Sequence, residues 1–300
     1  MVWLAYFRTN LEWTDIFKAT YREVSADRCF GLAAQLAFYF LLALFPALLF
    51  LVALVGYLPI DNVLAELLSA VGAVAPHDLV SLLRRQLDEL SAGPQRGLLT
   101  LGVLGAVWSS SAAMVALIDA LNFAYDVPEW RPWWKRRLVA ILLTVAVVMF
   151  VLVALVFLLV GPDVALSAAS WLGLAPAFAF MWQIVRWPTI VLCAVIAVDL
   201  VYHFAPNRRA QWAWITPGSL LATVLWIATS YGFQYYVANF GTYTATYGAI
   251  GAAIVTMLWF YVSGVALLVG AELNAVIEQA RRAKDRPRPP RLSDRRSATQ

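Results

Sequence analysis

Hydrophobic positions in this chain fall into long unbroken blocks, and the polar residues are bunched between them. A helix needs about 20 apolar residues to cross roughly 30 Å of hydrocarbon at 1.5 Å per residue. Six stretches meet that length: 31–58, 97–123, 138–160, 181–204, 212–237 and 247–275. In lipid, every backbone N–H and C=O must be satisfied within its own segment, so the pattern predicts an all-α polytopic membrane protein, six transmembrane helices in one bundle. The short alternating strands of a membrane β-barrel are absent from the sequence.

Weaker patterns flank the blocks. Residues 11 to 24 place Trp13, Ile16, Phe17, Tyr21 and Val24 on one helical face, with Glu12, Asp15, Lys18 and Arg22 elsewhere. The segment 1–30 therefore reads as a cytosolic amphipathic helix that either lies in the interface or packs beneath the bundle. In the connection 59–96, Asp61 and Asp78 are N-cap candidates, and Leu79, Leu82, Leu83, Leu87 and Leu90 share a face. Short extracytoplasmic helices are expected there, either as a lid over the outer mouth or as a cover for the outer surface. The tail 277–300, with Arg286, Pro287, Arg288, Pro289, Pro290 and Arg291, lacks apolar periodicity and is expected to be disordered.

Composition sharpens this picture. With 62% hydrophobic and 13% charged residues and a mean hydropathy of +0.73, the chain is not an ordinary soluble enzyme. Its net charge of +4 does not mark a nucleic-acid face, because eight of the 22 cations lie in the last 20 residues. Basic residues just outside a span attract anionic headgroups, so membrane lipids are the expected partners and specific nucleic acid is not. Eighteen of the 22 Lys and Arg fall on one side of the spans, and Arg84, Arg85 and Arg96 fall on the other. The positive-inside rule then places both termini in the cytosol. No cleavable signal is expected before Gly31, and the first span serves for insertion. Cys29 and Cys193 lie at different depths and read as packing residues, not a disulfide.

Candidate chemistry comes from polar side chains within the spans, which are costly at membrane depth and need a reason to be there. Gln35, Tyr39, Asp119, Asn122, Asp199, His203, Glu272 and Asn274 all fall in the cytosolic third. They form either a substrate or proton site, or interhelical hydrogen bonds that fix the bundle. Toward the other side, Arg186, beside Trp187 and Pro188, either snorkels to phosphate or meets Gln234, Tyr235 and Asn239 to hold an anionic headgroup. Thr216-Pro217-Gly218 and Pro46 allow kinks, and Asn239 to Thr246 is expected as a re-entrant or gate segment. No phosphate loop, dinucleotide fingerprint, H-E-x-x-H or paired C-x-x-C is present, so no catalytic residue, cofactor or metal site is expected.

Several stretches resemble the YihY / virulence factor BrkB family of inner-membrane proteins, once mislabelled ribonuclease BN. They are Ala33-Ala34-Gln35-Leu36-Ala37-Phe38-Tyr39 before Leu44-Phe45-Pro46, Leu117-Ile118-Asp119-Ala120-Leu121-Asn122, and Arg131-Pro132-Trp133-Trp134-Lys135-Arg136-Arg137. Pro206-Asn207-Arg208, Trp214-Ile215-Thr216-Pro217-Gly218, Tyr247-Gly248-Ala249-Ile250-Gly251 and Gly270-Ala271-Glu272-Leu273-Asn274-Ala275 continue the match, which covers about residues 10 to 280. The resemblance implies six spans in a bacterial inner membrane with both termini inside, and a transporter without a fixed substrate. The cytosolic polar ring, the expected lid helices and the missing ATP site point to a lipid, glycolipid or other amphiphile as its cargo. A membrane scaffold in envelope biogenesis is the alternative, and the oligomeric state stays open.

Overall fold

The computed structural model describes residues 12–55, 81, 96–159, 175–208, 214–240 and 242–285. Among the described residues there are seven helices and no strand: α1 (Trp13–Ala26), α2 (Cys29–Val55), α3 (Arg96–Ala124), α4 (Trp133–Leu159), α5 (Ala175–Phe204), α6 (Pro217–Phe240) and α7 (Thr242–Asp285). The lid helices expected in 59–96 and the end of the tail lie outside the described residues.

Local chemistry explains where the helices stop. α1 ends at Asp27, and Arg28 takes a left-handed φ of 54°, so the chain turns sharply before α2. α3 ends the same way, with Asp126 at φ 51° and Pro128 two residues on. Pro132 and Pro217 pre-set the first turns of α4 and α6.

A helix occupies each of the six predicted apolar positions. Over their described parts, three are long and apolar enough to cross a membrane: Trp133–Ala154, Ile184–Phe204 and Ile250–Arg282. α1 and the start of α2, bent by 63° at their junction, count as a fourth if taken together.

Three boundaries differ from those expected. The helix at the fifth predicted span, α6, starts at Pro217 and not at residue 212, so Thr216-Pro217-Gly218 is a helix start, not a kink. The segment Asn239 to Thr246 is helical on both sides of residue 241, so most of the expected gate segment belongs to α6 and α7. α7 also runs on to Asp285, which makes 277–285 helix and not tail. This extension contains helix formers, has no Gly or Pro, and carries a Glu278–Arg282 pair one turn apart.

The long helices close a ring in chain order. Each of α2 to α7 packs on the next, α7 packs back on α2, and α3 and α7 also touch across the middle. The polarity is that of a body solvated by hydrocarbon. Large apolar side chains such as Leu142, Met149, Val191, Val224 and Ile254 are exposed, while Ser111, Thr223, Ser230, Thr256 and Ser263 are buried. Buried alanines at the contacts, including Ala33, Ala116, Ala120, Ala222 and Ala271, let the helices approach closely.

α1 divides its expected apolar face in two. Ile16, Thr20 and Val24 are buried, with Ile16 set among Leu273, Val276 and Ile277 of α7. Trp13, Phe17 and Tyr21 remain exposed. The helix therefore packs on the bundle and still presents an aromatic face outward.

Candidate functional site

The polar residues gather at the end of the bundle that carries α1 and the C-terminal part of α7. They form separate groups, each with its own structural logic.

The first group joins α5, α6 and α7. Thr216 and Ser219 bond reciprocally at the start of α6, Ser219 N–H to Thr216 Oγ1 and Thr216 N–H to Ser219 Oγ, both at 3.2 Å. This is a capping box with Pro217 in the first turn. Asp199, buried on α5, accepts hydrogen bonds from Thr216 N–H at 3.2 Å, from Ser219 Oγ–H at 2.7 Å and from the Thr216 hydroxyl. Its carboxyl thus lies at the positive end of the α6 dipole. Asn274 of α7 completes the knot, donating to Thr216 Oγ1 and accepting from Gly218 N–H, each at 2.9 Å. A Cβ on Gly218 would strike the Gly270 carbonyl, and one on Gly270 would strike the Gly218 carbonyl and, at 2.7 Å, the Tyr202 hydroxyl. Backbone contact between α6 and α7 requires glycine at both positions.

The second group ties two connections together. Asn122, buried on α3, donates to Glu129 at 2.9 Å and accepts from Asn207 N–H at 2.7 Å. Arg131 grips the same Glu129 through Nε at 2.8 Å and through a second nitrogen at 2.6 Å, and it also donates to the Ala205 carbonyl at 2.7 Å. Burial pushes the Glu129 carboxyl up, but the hydrogen bonds from Arg131 and Asn122 outweigh it and hold it below the usual glutamate value. Behind this staple, Arg208 lies 3.9 Å from the centre of the Tyr125 ring and pairs with Glu278, which also holds Arg282 at 2.6 Å.

The third group sits where α1, α2 and α7 meet. Glu272 is 1% exposed, and the Cys29 thiol donates to its Oε1 at 3.2 Å. No described Lys or Arg forms an ion pair with Glu272.

The remaining predicted residues are elsewhere. Asp119 is on the outside of α3, its side chain 48% exposed and paired with Arg136 of α4. The adjacent Arg137 reaches instead to the Trp108 carbonyl at 2.6 Å, with its guanidinium 4.0 Å from the centre of the Trp108 ring. Trp108 and Asp119 are about 16 Å apart along α3. α4 thus begins beside the middle of α3, and Asp119 and Asn122 extend well past its first turn. Gln35 is exposed, Tyr39 is half-buried against Phe38, and His203 is half-buried and packs edge-on to Phe204. Arg186 lies over the Trp187 ring at 5.2 Å, Gln234 and Tyr235 are exposed, and the Asn239 side chain is outside the described residues.

Sequence reasoning missed Thr216 and Ser219 as polar partners, along with Glu129, Arg131 and Asn207. It also took Cys29 for packing alone. The T-P-G-S string was a legible capping signal, whereas nothing local to Cys29 points to a glutamate 243 residues away.

The chain is 37% identical over 253 residues to the ribonuclease-like protein YfkH of Bacillus subtilis, covering 84% of this chain and 91% of that one. It is 32% identical over 187 residues to a UPF0761 membrane protein of Ralstonia nicotianae, covering 61% of this chain and 40% of that one. A UPF0761 membrane protein of Alkalilimnicola ehrlichii is 28% identical over 256 residues, 84% of this chain and 55% of the relative. The chain thus spans most of YfkH but only about half the length of these UPF0761 relatives. No solved structure matches. The model of the virulence factor BrkB family matches residues 20–295, and the chain belongs to that family of membrane proteins.

Proposed function

We propose that this protein is an inner-membrane carrier for a lipid, glycolipid or other amphiphile, with six spans, both termini in the cytosol and no ATPase of its own. The observation that carries the reading is the closed ring of α2 to α7, apolar on its outside and with buried polar groups from α3, α5, α6 and α7 at one end. An amphiphile needs such a pairing, an apolar wall for its tails and polar groups for its head. The cation count supports placing that end in the cytosol. Glu272, Asp199 and Asn274, all buried in the bundle, are the site residues, Arg186 is a headgroup contact toward the other leaflet, and Asp119 is left outside the pathway.

The test is reconstitution in liposomes carrying fluorescent phospholipid or glycolipid, with inward and outward movement read by chemical quenching of the outer leaflet. Wild-type protein should speed movement and Glu272→Gln should abolish it, while Asp119→Asn leaves it intact. Movement no faster than in empty liposomes for any amphiphile offered would overturn the carrier reading. A membrane scaffold is the second reading, favoured by the outward aromatic face of Trp13, Phe17 and Tyr21. Loss of cellular function on replacing that face, with transport unchanged, would favour it.

A further inference from the structure

The basic run that opens α4 is not fully matched by the acids near it. Glu129 takes Arg131, and Asp119 takes Arg136. Lys135 and Arg137 form no ion pair among the described residues. Lys135 lies over its neighbour Trp134, 5.2 Å from the ring centre. Arg137 is held more firmly, by one hydrogen bond to the Trp108 carbonyl at 2.6 Å and by the Trp108 ring, whose centre is 4.0 Å from the guanidinium. A guanidinium carries five N–H donors in a rigid fork. The contact that positions Arg137 uses one of them, which leaves donors for an anion that the described residues do not supply.

The surroundings specify that anion. Trp133, 71% exposed and one turn before Arg137 on the same face of α4, brings its ring to 6.5 Å from that of Trp108. Two exposed indoles thus meet beside the guanidinium. Beyond Arg137 the exposed side chains of α4 are apolar, beginning with Leu138, Leu142 and Val145. Before it lies the charged connection that holds Asp126, Glu129 and Arg131. Indole rings and cations at such a change of surface mark the headgroup layer of a bilayer. α3 runs on past this level to Ala124, so its flank and the first turn of α4 make a step with Arg137 in the corner. Ile141 and Val148, one and three turns further on the same face, are half-buried and exposed respectively, an apolar track leading away from the corner.

We propose that this corner between α3 and α4 binds an anionic phospholipid of the surrounding leaflet. Arg137 is the contact to the phosphate, Trp108 and Trp133 lie against the glycerol region, and an acyl chain follows Ile141 and Val148. A zwitterionic lipid has the same phosphate, but its own ammonium group offsets the charge that Arg137 lacks a partner for, so the site prefers a net anionic headgroup. The corner opens outward from the ring of helices, apart from Asp199, Asn274 and Glu272, and it does not rest on the carrier reading.

The experiment is native mass spectrometry of the full-length protein in a mild detergent, titrated with phosphatidylglycerol or with phosphatidylcholine of the same chains. It is run at raised ionic strength, where attraction between charges that are not in contact is screened. Wild-type protein should hold phosphatidylglycerol about tenfold more tightly than phosphatidylcholine, as a hydrogen bond between charged groups allows. Arg137→Gln should remove that preference. Arg137→Lys keeps the charge and a donor for the Trp108 carbonyl but loses the fork, and should lose most of it. Lys135→Gln removes a charge from the other side of the same turn and should keep it. No preference in the wild type overturns the proposal, and so does a preference that Arg137→Gln retains. An equal loss in Lys135→Gln also overturns it, because general surface charge is then the cause. Should Arg137→Gln fail to fold, Arg137→Lys decides, and binding as selective as in the wild type overturns the site. No transport step enters this measurement, so a protein that moves no lipid can still show the site, and an active carrier can lack it.

Discussion

At the scale of single residues, the polar side chains of this bundle are better understood by their partners than by their depth. Asp199 shows why. A lone carboxylate at the cytosolic end of a span invites a transport role, yet its oxygens accept from Thr216 and Ser219 and cap α6. Asp199→Ala should therefore remove the acceptor that the Thr216 N–H and the two hydroxyls share, at a cost of about 2 kcal/mol. Asp199→Asn, which keeps one acceptor oxygen, should cost less than half of that, and thermal unfolding in a mild detergent measures both. Equal losses for the two substitutions would show that the negative charge at the helix start matters more than the hydrogen bonds. Glu272 is the opposite case, a buried acid whose hydrogen bond comes from the Cys29 thiol, and it is there that a functional explanation is needed.

Among the elements, existence was legible in the sequence and boundaries were not. Unbroken apolar blocks reveal membrane helices because the bilayer demands length, so a helix stands at each of the six expected positions. The blocks say little about where a helix goes on beyond the membrane, which is how α7 came to run ten residues past the end of its apolar stretch. The site was legible as a set of residue types, but not as a set of contacts. Pairings such as Cys29 with Glu272 or Asn122 with Asn207 depend on which helices adjoin, and no periodicity encodes that. The α6–α7 crossing gives a test at this scale. Gly270→Leu would drive a side chain into the Gly218 backbone, which cannot rotate away as a side chain can. Such overpacking costs about 1–3 kcal/mol even where side chains can give, so the variant should unfold at clearly lower temperature than Gly31→Leu, where a Cβ meets nothing.

Over the whole molecule, chain order and ring order coincide, and only α7 closes the circle. It touches α1, α2, α3 and α6. A chain stopped after Phe240 should insert into the membrane and yet be degraded faster than the full chain, as pulse-chase labelling in cells would show. Equal lifetimes would mean that α1 to α6 hold together unaided. Because the partners of Cys29 and of the Gly218 N–H both reside on α7, a chain still being synthesised carries these groups unsatisfied until its last described helix arrives. Biogenesis therefore has a built-in end point: the nascent protein stays an open horseshoe, exposed to the cell's quality control, and becomes a sealed body in a single late step.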